Sequence, residues 1–274
     1  MLRRNVFTIL IAISISSTAL AQDQPSTIRK TFTNFAHDQK AIWTSPLHIN
    51  RENAKWWALF GGGIATFIAV DKRLLNSLPE SPNRVKFSKN VSKIGATYTT
   101  SPVAGGLYLY GRIANNPKAR ETGVLGAETL LDSYMLVSVL KLAAGRERPE
   151  VEGGQGRFFK GHHGFPSGHA IMMWSFASLI SHEYAPGKIT PIIAYSAATI
   201  VSVSRFTARK HFASDILAGG AMGWFIGRYV FLQHFDPNIH KRYNPNLHSR
   251  LAPEVMPVVD PGTRSYGFSL AWKP

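Results

Sequence analysis

Six apolar segments, parted by polar or proline-containing connectors, constrain this chain more than any other feature of its sequence. They occupy residues 56–70, 103–110, 125–144, 170–180, 190–203 and 216–231. None alternates with the period of two that marks a half-buried strand, and 125–144 repeats its large apolar residues at helical spacing. Gly61, Gly62 and Gly63 weaken an isolated helix but let a neighbouring helix come close. The reading is an all-α fold: a helical bundle of five to six core helices over residues 54–234, the count depending on the weak 103–110 segment.

The flanks have a different composition. Residues 1–21 read as a signal peptide: Arg3 and Arg4 supply charge, an apolar run follows, and Ala19 and Ala21 are the small residues before a cut. An uncleaved anchor is the competing reading, but the run falls short of the ~20 residues a span needs. Residues 22–53 form an N-terminal leader with one amphipathic helix near 28–43. Residues 235–274 form a C-terminal tail. Within it Tyr266, Phe268, Leu270 and Trp272 alternate with small residues, beyond a turn at Asp260-Pro261-Gly262-Thr263. That pattern predicts a short C-terminal β-hairpin with 254–259, docked on the helices.

A formal net charge of +15 points to an anionic partner. The basic residues are spread out, without a nucleic-acid motif, so phosphorylated substrates and anionic membrane surfaces rank ahead of nucleic acid. The absence of cysteine excludes disulfides, thiol catalysis and cysteine-ligated metals.

Three short clusters fall at helix ends. Lys141 closes the third segment, and Arg148-Pro149 follows in the loop. Pro166-Ser167-Gly168-His169 opens the next helix, where Ser167 can cap it and free N–H groups can hold an anion. Ser204 and Arg205 precede His211, and Asp215 lies four residues beyond it, on the same helical face. Alone, each cluster has an ordinary explanation in a dipole-facing cation, a helix cap or a basic loop. Alternating helices would bring all three to one face. Lys141, Arg148 and Arg205 would then meet a phosphate's oxygens, Ser167 and the Gly168 N–H would complete the cradle, and two histidines would serve the chemistry.

This ordered set, KLAAGRERP, PSGH and SRFTARKHFASD, closely resembles the three-part signature of the type 2 phosphatidic acid phosphatase superfamily. Bacterial acid phosphatases and vanadium haloperoxidases share that signature. The resemblance covers roughly 54–234 and implies a phosphatase acting on a lipid or small phosphoester or pyrophosphate. It implies His211 as nucleophile forming a phosphohistidine, Asp215 as the hydrogen-bond partner of its other ring nitrogen, and His169 as acid and then base. Lys141, Arg148, Arg205, Ser167 and Gly168 would bind phosphate. No metal or other cofactor is implied, and vanadate should bind as a phosphate mimic. The alternative activity is a vanadium-dependent haloperoxidase, and a non-catalytic lipid-binding protein is a third. His162, His163, Phe158, Phe159 and Phe165 are loop residues with weaker claims on substrate, and Arg209 and Lys210 flank His211 facing solvent or a membrane surface.

The superfamily contains both integral and soluble exported enzymes. Here the apolar runs are mostly shorter than ~20 residues, the mean hydropathy is −0.06, and Glu128 and Asp132 interrupt one helix. The expectation is an exported protein of the periplasm or the periplasmic face of a membrane. A soluble or peripheral form with membrane-surface contact is favoured over an integral one.

Overall fold

A computed structural model describes residues 24–79, 81–95, 97–151, 154–240, 254–260 and 265–271. The predicted signal segment lies outside them. The described residues form eight α-helices: α1 (Gln24–Thr44), α2 (Ala54–Asn76), α3 (Pro82–Ser92), α4 (Thr97–Ile113), α5 (Pro117–Ala144), α6 (Gly168–Glu183), α7 (Ile189–Thr207) and α8 (Ala213–His234). The all-α reading holds, with a longer and fuller set of helices than the apolar runs outline. The reason is local chemistry at the ends. Asn116 caps α5 by accepting from the Ala119 N–H at 3.1 Å, with Pro117 at the first helical position, so the helix starts well before its apolar stretch. Left-handed Gly145 ends it. Ser81 and Pro82 start α3 in the same way, inside what reads as a polar connector.

Two strands follow the helices: β1 (Glu254–Asp260) and β2 (Ser265–Ala271). They pair antiparallel, from Glu254 opposite Ala271 to Asp260 opposite Ser265. This is the hairpin expected from the alternation, although Trp272 and the connecting turn lie outside the described residues.

The core is built where α5, α6 and α8 meet, around Leu125, Leu130, Ile171, Leu179, Val230 and Phe231. Helices α6 and α8 approach until backbone touches backbone. A Cβ added at Gly223 would sit 2.3 Å from the Ile171 carbonyl oxygen, and one at Gly227 would sit 2.0 Å from that of Ser175. The four-residue spacing of these glycines keeps them on one face of α8, so the two helices register along their length.

Helix α1 belongs to this bundle rather than to a separate leader. Asn34 donates to Glu128 at 3.3 Å, Gln39 donates to Asp132 at 2.8 Å, and Asp38 meets the His234 imidazole at 2.7 Å. Glu128 and Asp132 are therefore turned inward and partnered, and the outer face of α5 is left apolar. Leu131, Tyr134, Val139 and Leu142 are exposed there, as are Leu59 and Phe67 on α2 and Ile192, Ile193 and Ile200 on α7. Isolated exposed apolar side chains are ordinary, but here several share the outer face of one helix, α5. Both α5 and α7 contain windows with mean hydropathy 1.3 and are long enough to cross a membrane. These two helices, with the exposed apolar side chains, suggest membrane association. Of the supports for a soluble or peripheral form, the two charges are buried by the fold and two of the apolar runs lie in longer helices, while the low mean hydropathy stands.

Candidate active site

Four helix ends converge. The last turns of α5 and α7 bring Lys141 and Arg205, the first turns of α6 and α8 bring His169 and Asp215, and the loop between α5 and α6 brings Arg148. Helices α6 and α8 are stitched at this end by the Ser167 N–H, which donates to the Asp215 carbonyl at 2.9 Å. Ser167 also caps α6, its hydroxyl oxygen accepting from the Ala170 N–H at 3.4 Å. A Cβ on Gly168 would lie 3.4 Å from the Lys141 ammonium, so this backbone turn and that cation sit side by side. His169 lies within the electrostatic reach of Arg205, His211, Lys141 and Arg148. The face predicted from helix alternation is therefore assembled.

The two arginines are held with donors left open. Arg205 donates to Ser92 on α3 at 3.1 Å, which gives that short helix a role in the site. Arg148 lies 3.6 Å from Glu150 and 3.5 Å from the His163 carbonyl. The buried Nε atoms of Arg148 and Arg205 have no hydrogen-bond partner. Buried donors without acceptors are costly, and an anion in the cradle would satisfy them.

His211 is buried, and its Nδ1 lies 2.8 Å from the Gly164 carbonyl. A carbonyl only accepts, so Nδ1 carries the proton and Nε2 keeps its lone pair. The Asp215 carboxylate is 3.5 Å from the same Nδ1. The expected pairing of Asp215 with His211 is thus secondary in this geometry, and Gly164 holds the tautomer. Asp215 is occupied by other donors: Oδ2 accepts from the Phe212 N–H at 2.9 Å, and Oδ1 from Arg146.

Arg146 is the residue that sequence reasoning missed. It is 1% exposed. Its guanidinium reaches Asp215, Ser214 at 2.6 Å, Asp71 at 2.8 Å and, through Nε, the Gly156 carbonyl at 3.0 Å. Phe158 and Phe212 cover it, with ring centroids 4.7 and 4.8 Å from Cζ. Asp71, in the C-terminal part of α2, also accepts from the Ser214 N–H at 2.9 Å. Arg146 stands in the same GRER run as Arg148, and the only outward sign of a partner is an aspartate closing the first apolar segment.

The flanking residues are placed too. Lys210 pairs with Glu150, which also faces Arg148, and Arg209 donates to the Leu78 carbonyl at 3.2 Å. These two side chains tie loops together rather than project freely. Glu147 binds Arg157 and accepts from the N–H groups of Gln155 and Arg157. Phe158 packs on Phe165 at 5.6 Å, and Phe159 stands exposed at the rim.

Burial pushes the His211 imidazole below its ordinary value, against the opposing pull of Asp215. A lowered value keeps the ring neutral as pH falls past ~6.5 and charges it only further down. The acidic limb of kcat/KM that reports this group should therefore lie below pH 6.5. A pH–rate profile with that limb at or above 6.5 would contradict the burial of His211.

Residues 123–239 match the family model of the PAP2 superfamily. Among curated proteins, a PA-phosphatase related-family protein of Dictyostelium discoideum is 27% identical over 150 residues, covering 48% of this chain and 54% of that protein. A lipid A 1-phosphatase of Rhizobium etli is 31% identical over 105 residues, covering 35% of this chain and 44% of that protein. The chain thus spans about half or less of these relatives. A solved structure, the transmembrane PAP2 type phosphatidylglycerolphosphate phosphatase from Bacillus subtilis, aligns with a TM-score of 0.48 at 21% identity, over 79% of this chain and 97% of that one. The matched segment 123–239, less than half of the chain, contains all the signature residues described above.

Proposed function

We propose that this chain is a phosphatase of the PAP2 superfamily that removes phosphate from a membrane lipid at the surface of the bilayer, through a phosphohistidine on His211. The observation that carries the reading is the His211 geometry: a buried imidazole with Nδ1 on the Gly164 carbonyl, facing a cluster of partly unsatisfied cations.

In the first step Nε2 attacks phosphorus, the P–N bond forms, and the P–O bond to the substrate breaks. His169 gives its proton to the departing alkoxide. In the second step His169 takes a proton from water, the new P–O bond forms, and the P–N bond breaks to release phosphate and neutral His211. Lys141, Arg148 and Arg205, with Ser167 and the Gly168 N–H, spread the charge of the equatorial oxygens in both steps. Asp215 and the Arg146 hub position the ring. The chemistry needs no metal, because these cations neutralise the phosphate.

A lipid substrate is supported by the apolar outer faces of α2, α5 and α7 and by the similarity to a lipid A 1-phosphatase. On this reading α5 and α7 span the bilayer, and the site opens at its polar boundary. The periplasmic face is the side expected if residues 1–21 direct export.

Phosphate release by the purified chain in detergent is the direct test. The panel would contain phosphatidate, phosphatidylglycerophosphate, undecaprenyl pyrophosphate, a lipid A phosphate and p-nitrophenyl phosphate. At least one lipid should be turned over, with inhibition by orthovanadate. Failure on every substrate, or bromide-dependent peroxidase activity with vanadate in its place, would overturn the reading.

A further inference from the structure

A second cluster of chemistry-bearing side chains lies at the other end of α6. His169 begins that helix and Glu183 ends it, a separation of roughly 20 Å at 1.5 Å per residue. Three elements meet there. Glu121 comes from the second turn of α5, Glu183 from the last turn of α6, and His240 from the segment after α8. His240 Nε2 lies 3.0 Å from Glu121 Oε2 and 3.2 Å from Glu183 Oε2. One ligand atom from each residue falls within 4.8 Å of the others.

We infer that Glu121, Glu183 and His240 form a binding site for a divalent transition cation of the Zn²⁺ type, which fastens the end of α8 to α5 and α6. Four observations support it. The donor set is one imidazole nitrogen and two carboxylates, the chemistry such ions accept, with one position left for water. The nitrogen–oxygen separations suit a tetrahedral shell, in which bonds of ~2.0–2.1 Å place neighbouring donors roughly 3.3 Å apart. Glu183 is 0% exposed, and its Oε1 has no hydrogen-bond partner. A buried carboxylate oxygen left open is expensive unless a cation meets it.

Charge is the fourth. An imidazolium facing two carboxylates leaves one negative charge on a buried group. A divalent cation with neutral imidazole leaves none. The surroundings fix the ring in the required orientation. Phe231 and Phe235 pack edge-to-face on His240, with centroids 5.3 and 5.8 Å away. Thr122 donates to Glu183 at 3.4 Å, and the Asp236 N–H donates to Glu121. Asp236 thus orients the Glu121 carboxylate through its far oxygen, and Thr122 fixes the Glu183 oxygen that faces His240.

The experiment uses the full chain, purified in detergent, stripped with EDTA and titrated with ZnCl₂. Thermal unfolding is read alongside metal content per chain. Zinc should bind at one equivalent and raise Tm by about 4 °C or more. EDTA should reverse the rise while leaving the initial rate of phosphate release at 20 °C unchanged. Glu183→Gln and His240→Gln should lose both the bound metal and the shift, and Glu121→Gln, the mildest change, should weaken binding at least tenfold. A wild-type Tm indifferent to zinc would overturn the site and leave a plain ion pair. A zinc response equal in Glu121→Gln and the wild type would overturn it also, placing the metal on other histidines.

Discussion

Replacing His211 by alanine should abolish phosphate release, by at least ~10³-fold, while the protein stays folded. The size follows from the role. Every turnover on the proposed path forms a P–N bond to this ring, and no other histidine in the site has its lone pair held by a carbonyl on the opposite nitrogen in this way. The fold should survive because His211 sits in the turn between α7 and α8 and makes one side-chain hydrogen bond, to Gly164. Far-ultraviolet circular dichroism should match the wild type. Trapping with ³²P-labelled substrate in acid should show a phosphoenzyme in the wild type and none in His211→Ala. Full activity in the variant would sink the nucleophile assignment. By contrast, His169→Ala should still form the phosphoenzyme with substrates that have a good leaving group, and should accumulate it, because the base for water is gone.

The second large effect is expected at Arg146, for a different reason. This guanidinium is the only cation paired, among the described residues, with either Asp71 or Asp215, and all three side chains are at most 2% exposed. Arg146→Met keeps the volume and removes the charge. Two buried carboxylates would then stand unpaired, at a cost of about 3–5 kcal/mol. Activity should fall with it, because Asp215 also anchors the Phe212 N–H beside His211. A structural role alone would be relieved by cooling. A positioning role would leave kcat depressed at temperatures where the variant is fully folded. The double variant Arg146→Met with Asp71→Asn removes one of the stranded charges, so it should be more stable than Arg146→Met alone. A thermal unfolding series across the cycle measures this coupling, and strict additivity would refute the buried hub.

The difference between these residues shows what the sequence could disclose. Lys141, Arg148, His169, Arg205, His211 and Asp215 could be singled out because each sits at a helix end or in the loop next to one, in a short motif whose order is informative. The bundle was legible because apolar runs mark helix interiors. Asp71, Arg146 and Gly164 were not, because their meaning lies in contacts across long stretches of chain. Asp71 and Arg146 are 75 residues apart, and Gly164 contributes only a carbonyl, which any residue carries. The acidic residues of α5 show the same limit. Glu128 and Asp132 read as interruptions of an apolar helix until α1 is seen to cover them. Helix ends were underestimated wherever caps such as Asn116 and Ser81 lay in polar sequence.

Helix α1 lies outside the matched segment 123–239, yet it supplies the partners of two acidic side chains on α5, and its own Asp38 needs His234. An excised version trimmed to the recognisable catalytic segment would expose that polar seam to whatever surrounds the bundle, hydrocarbon included. The practical minimal unit therefore includes α1. The unit that can be transplanted, expressed or recombined as a piece is larger than the unit that sequence comparison outlines.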